Sequence, residues 1–457
     1  MSIKPLPLSW TGTPSRELMR LAWPIAVSSL SYSVMTVVDT LFVGQLGASA
    51  LAGVSLGGVA TFTLVVFGFG LLRAVKIKVS HAVGAGRRHE SRGWLDAGVI
   101  CGLGLGLAMA ALGPALGSGL RALLESATAA RSADTYVTIR LLSAPVMMLF
   151  VAIREHRYGI GDSRSPMVAT LLANGVNIGL DAILIFGLGW GVAGAAWASV
   201  AAVAVEASLV LGVELASGWR PRLPTLPRLA GIWDVGLPNG LQFLLEVGSF
   251  AMLSVIIAGF GDAQLAAHQI TLQLCHVAFL PNVALAEAAG VLTGQAVGAG
   301  QLPLVQRVAR RAAVMSVAYT VLCSLAMLLL GHRLAVPFTP DVEVQNIAAS
   351  LMLAAGMFLV ADGVGIVARG ALRGTGDVRT PAVVGTLFSW ALTPPLAYLL
   401  GREAGMGALG GWIGLSAEIV VSGAYFWWRL EAGGWHREAR RATEALAADT
   451  RPSLVPA

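Results

Sequence analysis

Charge is scarce in this sequence. Only 12% of its 457 residues are Asp, Glu, Lys or Arg, about half the share of an ordinary soluble domain, which leaves too little polar material to cover a water-facing surface. Cysteine is nearly missing too. Cys101, Cys275 and Cys323 lie inside apolar segments without ligand spacing, which argues against a disulfide framework or a zinc site and leaves them as small packing residues. No stretch carries the GK[ST] of a phosphate loop, so ATP is not expected to drive this protein. No nucleophile stands with its base and no cofactor box is found, so an intramembrane enzyme fits poorly.

Apolar length is what the chain has instead. Hydrophobic residues make up 56% of it and the mean hydropathy is +0.74, the composition of an integral membrane protein. A bilayer crossing takes about 20 apolar residues in helix. Twelve such runs are predicted, at 18–44, 50–77, 94–117, 135–156, 166–188, 191–216, 230–259, 264–296, 307–331, 345–371, 381–400 and 407–429. Glycine and proline occur throughout them, as membrane helices tolerate. The first run is too long for a signal-peptide core and is followed by another run, so it is expected to remain in the mature chain.

The chain repeats itself. At a shift of 214, Pro24 falls on Pro238, Gly47 on Gly261, Leu51 on Leu265, and Ala82–Gly86 (AVGAG) on Ala296–Gly300. At 215, Gly159–Pro166 meets Gly374–Pro381 in the shared frame GxGDxRxP, and Trp197 meets Trp412. Six runs per half is an even number, so both halves enter the membrane the same way up. That is the parallel-repeat plan of two lobes flanking a central path. The expected division is an N-lobe over 1–216, a proline-bearing cytoplasmic linker over 217–229, a C-lobe over 230–430 and a polar cytoplasmic tail over 431–457.

Basic residues set the orientation. The N-terminal segment holds Lys4, Arg16 and Arg20, and each even-numbered loop has its own group, from Arg87, Arg88 and Arg92 to Arg369, Arg373 and Arg379. The odd loops hold only Arg121, Arg131, Arg333 and Arg402. The positive-inside rule then places both termini in the cytoplasm of a multi-pass protein of the plasma (inner) membrane. Topology thus accounts for the net charge of +6, and no nucleic-acid partner is called for.

An ionisable residue inside a span is a functional candidate by default, because burying it there costs about 2.5–3.5 kcal/mol on insertion scales. Asp39 lies in the outer part of the first run, and Glu246 and Asp362 lie near the middle of the seventh and tenth. Asn174, Asn177 and Asp181, spaced by three and four, share a helix face. With Asp39 and Ser199 they make an oxygen-lined pocket suited to Na+ or to a proton shared between carboxylates. The asparagines could equally serve as interhelical glue. Asn174, Gln273 and Glu287 are assigned to a substrate path, Glu287 with a snorkelling end-group as the open alternative. Arg73, Lys76, Lys78 and His81 are expected to snorkel to the headgroups. His268 is expected at the membrane interface.

Together these features resemble the MATE family of multidrug and toxic compound extrusion transporters, over about residues 15–430. The residues that carry the resemblance are the doubled GAG and GxGDxRxP and the LAAHQI at Leu265–Ile270. The resemblance implies an all-α membrane protein of twelve helices in two six-helix lobes around a V-shaped cleft. It implies export of organic, mainly cationic, compounds in antiport with Na+ or H+, without a cofactor. By the family pattern, Asp39, Asn177 and Asp181 form the N-lobe cation pocket, a possible Na+ site, with Ser199 where threonine is common. Pro24, fifteen residues before Asp39, takes the helix-bending position, and Glu246 and Asp362 match the C-lobe acids of the NorM-like branch. Arg73, Lys76 and Lys78 depart from the pattern, which qualifies a purely cationic substrate range. The partners expected are small-molecule drugs and membrane lipids, and the default state is a monomer. The alternative reading is a lipid-linked oligosaccharide or lipid flippase of the same superfamily, which predicts arginines in the membrane centre where this sequence is expected to place acids. A channel or scaffold is a third reading, and it leaves the repeated acids without work.

Overall fold

The computed structural model describes residues 6–448, so Lys4 and the last nine residues of the expected tail lie outside the described residues. Among the described residues every regular element is a helix: α1 Pro14–Gly44, α2 Ala48–Gly84, α3 Arg88–Leu123, α4 Ala127–Leu142, α5 Ala144–Gly159, α6 Arg164–Asp181, α7 Gly191–Ala216, α8 Leu226–Ala258, α9 Asp262–Gly298, α10 Pro303–Ala335, α11 Val342–Gly374, α12 Arg379–Tyr398, α13 Ala408–Glu431 and α14 His436–Ala448. Short π-helical turns, Ala182–Gly187 and Leu399–Glu403, extend α6 and α12. Eleven helical spans are long and apolar enough to cross a membrane, and α4 with α5 makes a twelfth as a pair bent by 49°. Leucine, valine and methionine side chains such as Leu41, Val59, Leu107, Leu322, Met357 and Val383 stand exposed on these helices, as lipid contact requires and water would not permit at this density.

The fourth run was expected as one span and is broken instead. Pro145 carries no N–H and its ring crowds the carbonyl four residues back, so the hydrogen-bond ladder is interrupted there and the span bends. Ser143 takes up the slack, its N–H and its Oγ both donating to the Arg140 carbonyl at 3.1 and 2.7 Å.

The two repeats end their motifs in the same backbone geometry. Gly161 and Gly376, the second glycines of the two GxGDxRxP frames, have φ of +87° and +92°. That left-handed conformation lets the chain leave one helix and start the next, and a side chain would strain it.

Two compact units form. One comprises Met1–Ala26, Ser80–Arg87 and Leu245–Ala457; the other comprises Val27–Val79 and Arg88–Leu244. The division passes through α1, α2 and α8. In the first unit α11 packs on α9, α10 and α13, around buried Leu253, Leu351, Met352, Phe358 and Trp412. The end of α2 crosses α9 there at the doubled GAG. A Cβ on Gly84 would lie 2.0 Å from the Gln295 carbonyl oxygen, and one on Gly298 would lie 2.0 Å from that of His81. The contact is reciprocal, since 81 and 84 become 295 and 298 at the repeat shift of 214. In the second unit α3 packs on α4 and α5, and α7 packs on α4, α5 and α6.

Candidate functional site

The second unit assembles the residues expected of an ion pocket. Asn177 and Asp181 on α6 are fully buried, and Asn174 on α6 and Ser199 on α7 nearly so. Asp39, half-buried on α1, brings its carboxyl directly against that of Asp181. Asn174 is turned to α1, its Nδ2 donating to Ser31 Oγ at 2.8 Å. Ionised, the two carboxylates have no proton to offer one another. Asp39 Oδ1, both Asp181 oxygens and both amide atoms of Asn177 have no hydrogen-bond partner among the described residues. Buried polar atoms are nearly always satisfied, and orphans gathered in one place mark a site that something else completes. Two carboxylates and an amide oxygen form a hard donor set, which a proton or a monovalent cation fits. Pro24 lies inside α1, upstream of Asp39 on the same helix.

Arginine was expected to stay at the loop ends of the helices, and it does not. Arg140 lies in the last turn of α4, just before the bend in mid-span, with Tyr136 and Tyr32 beside it and Asp39 within electrostatic reach. Its Nε and Nη1 have no partner among the described residues. An arginine-free membrane centre therefore does not separate the transport readings. The basic cluster on α2 also departs from expectation. Lys76 is buried and its Nζ lies 3.5 Å from Glu155 Oε2. His81 is buried too, and its Nε2 donates to the Gly374 carbonyl at 2.8 Å. Arg73 lies 4.3 Å from the Phe243 ring centroid and Lys78 5.3 Å from that of Trp94. Lys76 turns inward to an acid of the second unit and His81 to a carbonyl of the first, while Arg73 and Lys78, half-buried, rest against rings.

His268 is likewise no interfacial residue but a fully buried one. Trp412 Nε1 donates to its Nδ1 at 3.1 Å, and its Nε2 meets Ser254 Oγ at 3.0 Å. An indole N–H can only donate, so the His268 proton sits on Nε2 and both ring nitrogens are satisfied. The ring is a structural tie between α9 and α13.

The first unit gathers acids differently. Arg369 on α11 donates from Nη1 to Glu246 Oε1 on α8 at 3.1 Å. Asp362 on α11 and Glu418 on α13 lie within electrostatic reach of that pair. Gln273 is exposed and Glu287 half-buried, both on α9. Sequence reasoning missed two acids. Glu418 and Glu206 each stand near the middle of an apolar run, and the rule that flagged Asp39 and Asp362 would have found them.

The sequence model of the MatE family matches residues 24–183 and 238–399. The chain belongs to the MatE family. One matched segment lies in each of the two repeats. The chain is 32% identical to a probable multidrug resistance protein NorM of Burkholderia mallei, with 95% of each chain covered. It is 31% identical to a multidrug resistance protein NorM of Burkholderia vietnamiensis, over 91% of this chain and 93% of that one. Among solved structures it resembles a MATE in the bent conformation, with a TM-score of 0.86 at 21% identity over 93% of this chain and 97% of the other. That likeness shows a shared fold.

Proposed function

We propose that this MatE-family membrane protein is a secondary active multidrug efflux transporter. It exports small organic, mainly cationic, compounds in exchange for Na+ or H+. The carrying observation is the Asp39–Asp181 pair: two carboxylates, one from α1 and one from α6, meet with buried oxygens that no donor of the described residues satisfies. Such a pair needs a positive charge, and a charge that is not built in has to arrive and leave. The NorM names of the relatives support the substrate class. The reading places the protein in the plasma (inner) membrane with both termini in the cytoplasm. Residues 1–216 and 230–430 act as lobes joined by 217–229, and the chain works as a monomer.

The coupling logic is thermodynamic. The ion enters the Asp39, Asn177, Asp181 and Ser199 pocket from outside and favours the state that releases drug outward; drug favours the other state. A ligand that bound both states equally would shift nothing. Arg369 already compensates Glu246, so the first repeat has the greater need for a mobile ion, and Glu246 and Asp362 serve the drug path. Efflux of a fluorescent organic cation from proteoliposomes, driven by a sodium gradient alone and then by a proton gradient alone, tests the reading. One of the two should drive it; efflux indifferent to both gradients sinks coupled export.

A further inference from the structure

Below the carboxylate pair, the same face of α6 continues inward. Thr170, Asn174, Asn177 and Asp181 are spaced by four, three and four residues, so they line one face over about 16 Å. All four are buried. At the inner end of this ladder, Thr170 Oγ1 donates to Glu206 Oε1 on α7 at 2.6 Å. Glu206 lies seven residues, two turns, past Ser199 on α7, so the two share one face of that helix, and the Thr170 bond turns Glu206 toward α6.

We propose that Glu206 is a second carboxylate station for the coupling ion, set inward of the Asp39–Asp181 pair and linked to it by the polar face of α6. The station rests on the antiport reading above. The charged and titratable groups that face Glu206 are Arg154 and Tyr158 from α5 and Tyr32 from α1. Arg154 acts on it from a distance without pairing to it. Its guanidinium is committed to Glu155, at 2.9 and 3.3 Å, and lies 5.6–5.9 Å from the rings of Phe150, Phe69 and Tyr158. Among the described residues no ion pair to Glu206 is formed. A carboxylate inside a span whose one hydrogen-bond donor is a neutral hydroxyl keeps its charge open to an arriving cation or proton, and glutamine would have served a structural hydrogen bond equally well.

The second repeat has a counterpart. Arg154 falls on Arg369 at the shift of 215, and Arg369 is faced by Glu418 from the sixth span of its own repeat. Glu418 is three residues, nearly one turn, from the position that Glu206 would take at that shift. An acid on the sixth span facing the arginine of the fourth therefore occurs in both halves. In the first half, Arg154 is near enough to act on an arriving cation and too occupied to replace it, which keeps the station exchangeable toward the cytoplasm.

The test uses the full chain in proteoliposomes with a fluorescent organic cation. Three quantities are read under whichever gradient drives the wild type: gradient-driven efflux, the ion flux that added dye evokes, and dye exchange without a gradient. E206Q should lower gradient-driven efflux by about a hundredfold, the low end for losing a proton-transfer group. It should also remove dye-evoked ion flux and leave gradient-free exchange in place. E206D should restore most of the flux, and T170V should raise the ion concentration for half-maximal efflux. Wild-type ion flux from E206Q overturns the station, as does a joint loss of efflux and gradient-free exchange that E206D does not rescue, which marks a structural residue. A wild type that neither gradient drives is a separate result; it fails the antiport reading itself and leaves the station without an ion to carry.

Discussion

The two repeats share their turns and differ in where they keep positive charge. In the first repeat the outer acids, Asp39 and Asp181, face each other with their oxygens unmet. Arg140 lies within electrostatic reach without pairing to them, and Arg154 is taken by Glu155. In the second repeat Arg369 is bound to Glu246, with Asp362 and Glu418 around the same guanidinium. Duplication kept the backbone and let the charges drift. A built-in cation holds a site at constant charge, and its lack makes a site that responds to an ion. The π turns point the same way. Both repeats place one at the end of the fifth span, but the first follows Asp181 directly, while the second follows a helix end with Pro394 and Pro395 and no acid.

What the halves have in common should be the least tolerant of change. The α2–α9 crossing is made by repeat-related glycines whose missing Cβ atoms leave room for a backbone carbonyl. G84V or G298V forces helix against helix at a distance no side chain can relieve, beyond the ~1–3 kcal/mol of ordinary overpacking. Neither variant should yield monodisperse protein in size-exclusion chromatography. Gly104 has open space around it, so G104A, which should gain up to about 1 kcal/mol of helix propensity, is the control. A well-behaved G84V would show that the crossing is not the common frame.

The charge difference predicts an asymmetry in coupling. D39N removes a charge from the uncompensated pair and should lower gradient-driven efflux by about a hundredfold or more while expression and detergent stability stay normal. E246Q leaves Arg369 with two further acids nearby and should cost about tenfold or less, mainly in the concentration of drug needed. Equal losses in the two variants would erase the distinction between the repeats; a larger loss in E246Q would reverse it.

The architecture was legible because it is written in long patterns: twelve apolar runs, basic groups at alternate loops, and motifs that recur at one shift. Asp39, Asn177 and Asp181 were legible because an acid in an apolar run needs a reason and helical spacing shows which neighbours share its face. The break at Pro145 was visible in the sequence, yet the even run around it outweighed one proline. The inward turn of Lys76 and His81 was not legible, because it depends on Glu155 and the Gly374 carbonyl, which stand 79 and 293 residues away. Arg140 was passed over because loops were counted for arginine and spans for acids. Glu206 and Glu418 were legible by the same cost of an acid in a span that marks Asp362.

The repeated tryptophans sharpen the contrast at smaller scale. Trp412 is fully buried and donates to His268, whereas Trp197, its repeat partner, is 41% exposed. W412F leaves His268 Nδ1 without its donor, which should cost about 1–3 kcal/mol, read as a lower Tm in detergent. W197F should stay within about 0.5 kcal/mol of wild type.

A small effect is also expected at the doubled GxGDxRxP, where the same aspartate does different work. Asp377 reaches across to Arg429 on α13 at 2.6 Å. Asp162 stays local: its Oδ1 accepts from the N–H groups of Arg164 and Ser165 at 3.0 and 3.1 Å, and its Oδ2 accepts from Ser165 Oγ at 2.6 Å and Arg157 Nε at 3.0 Å. Partial burial works to raise the Asp162 carboxyl, but the Ser165 hydrogen bonds and the Arg157 guanidinium overcome it and hold the group below the usual carboxylate range. A depressed folded-state pKa contributes stability above the ordinary value of 3.8, and the contribution fades as pH falls through the lowered one. D162N keeps the shape and loses the charge. It should cost on the order of 1 kcal/mol or less at neutral pH, since water screens a part-exposed pair. The Tm gap between wild type and D162N should then close in acid, below the pH at which Asp162 takes up its proton. A gap that persists unchanged there would mean that the loop depends on the shape of Asp162 and not on its charge, and the aspartates of the two repeats would then differ only in partner.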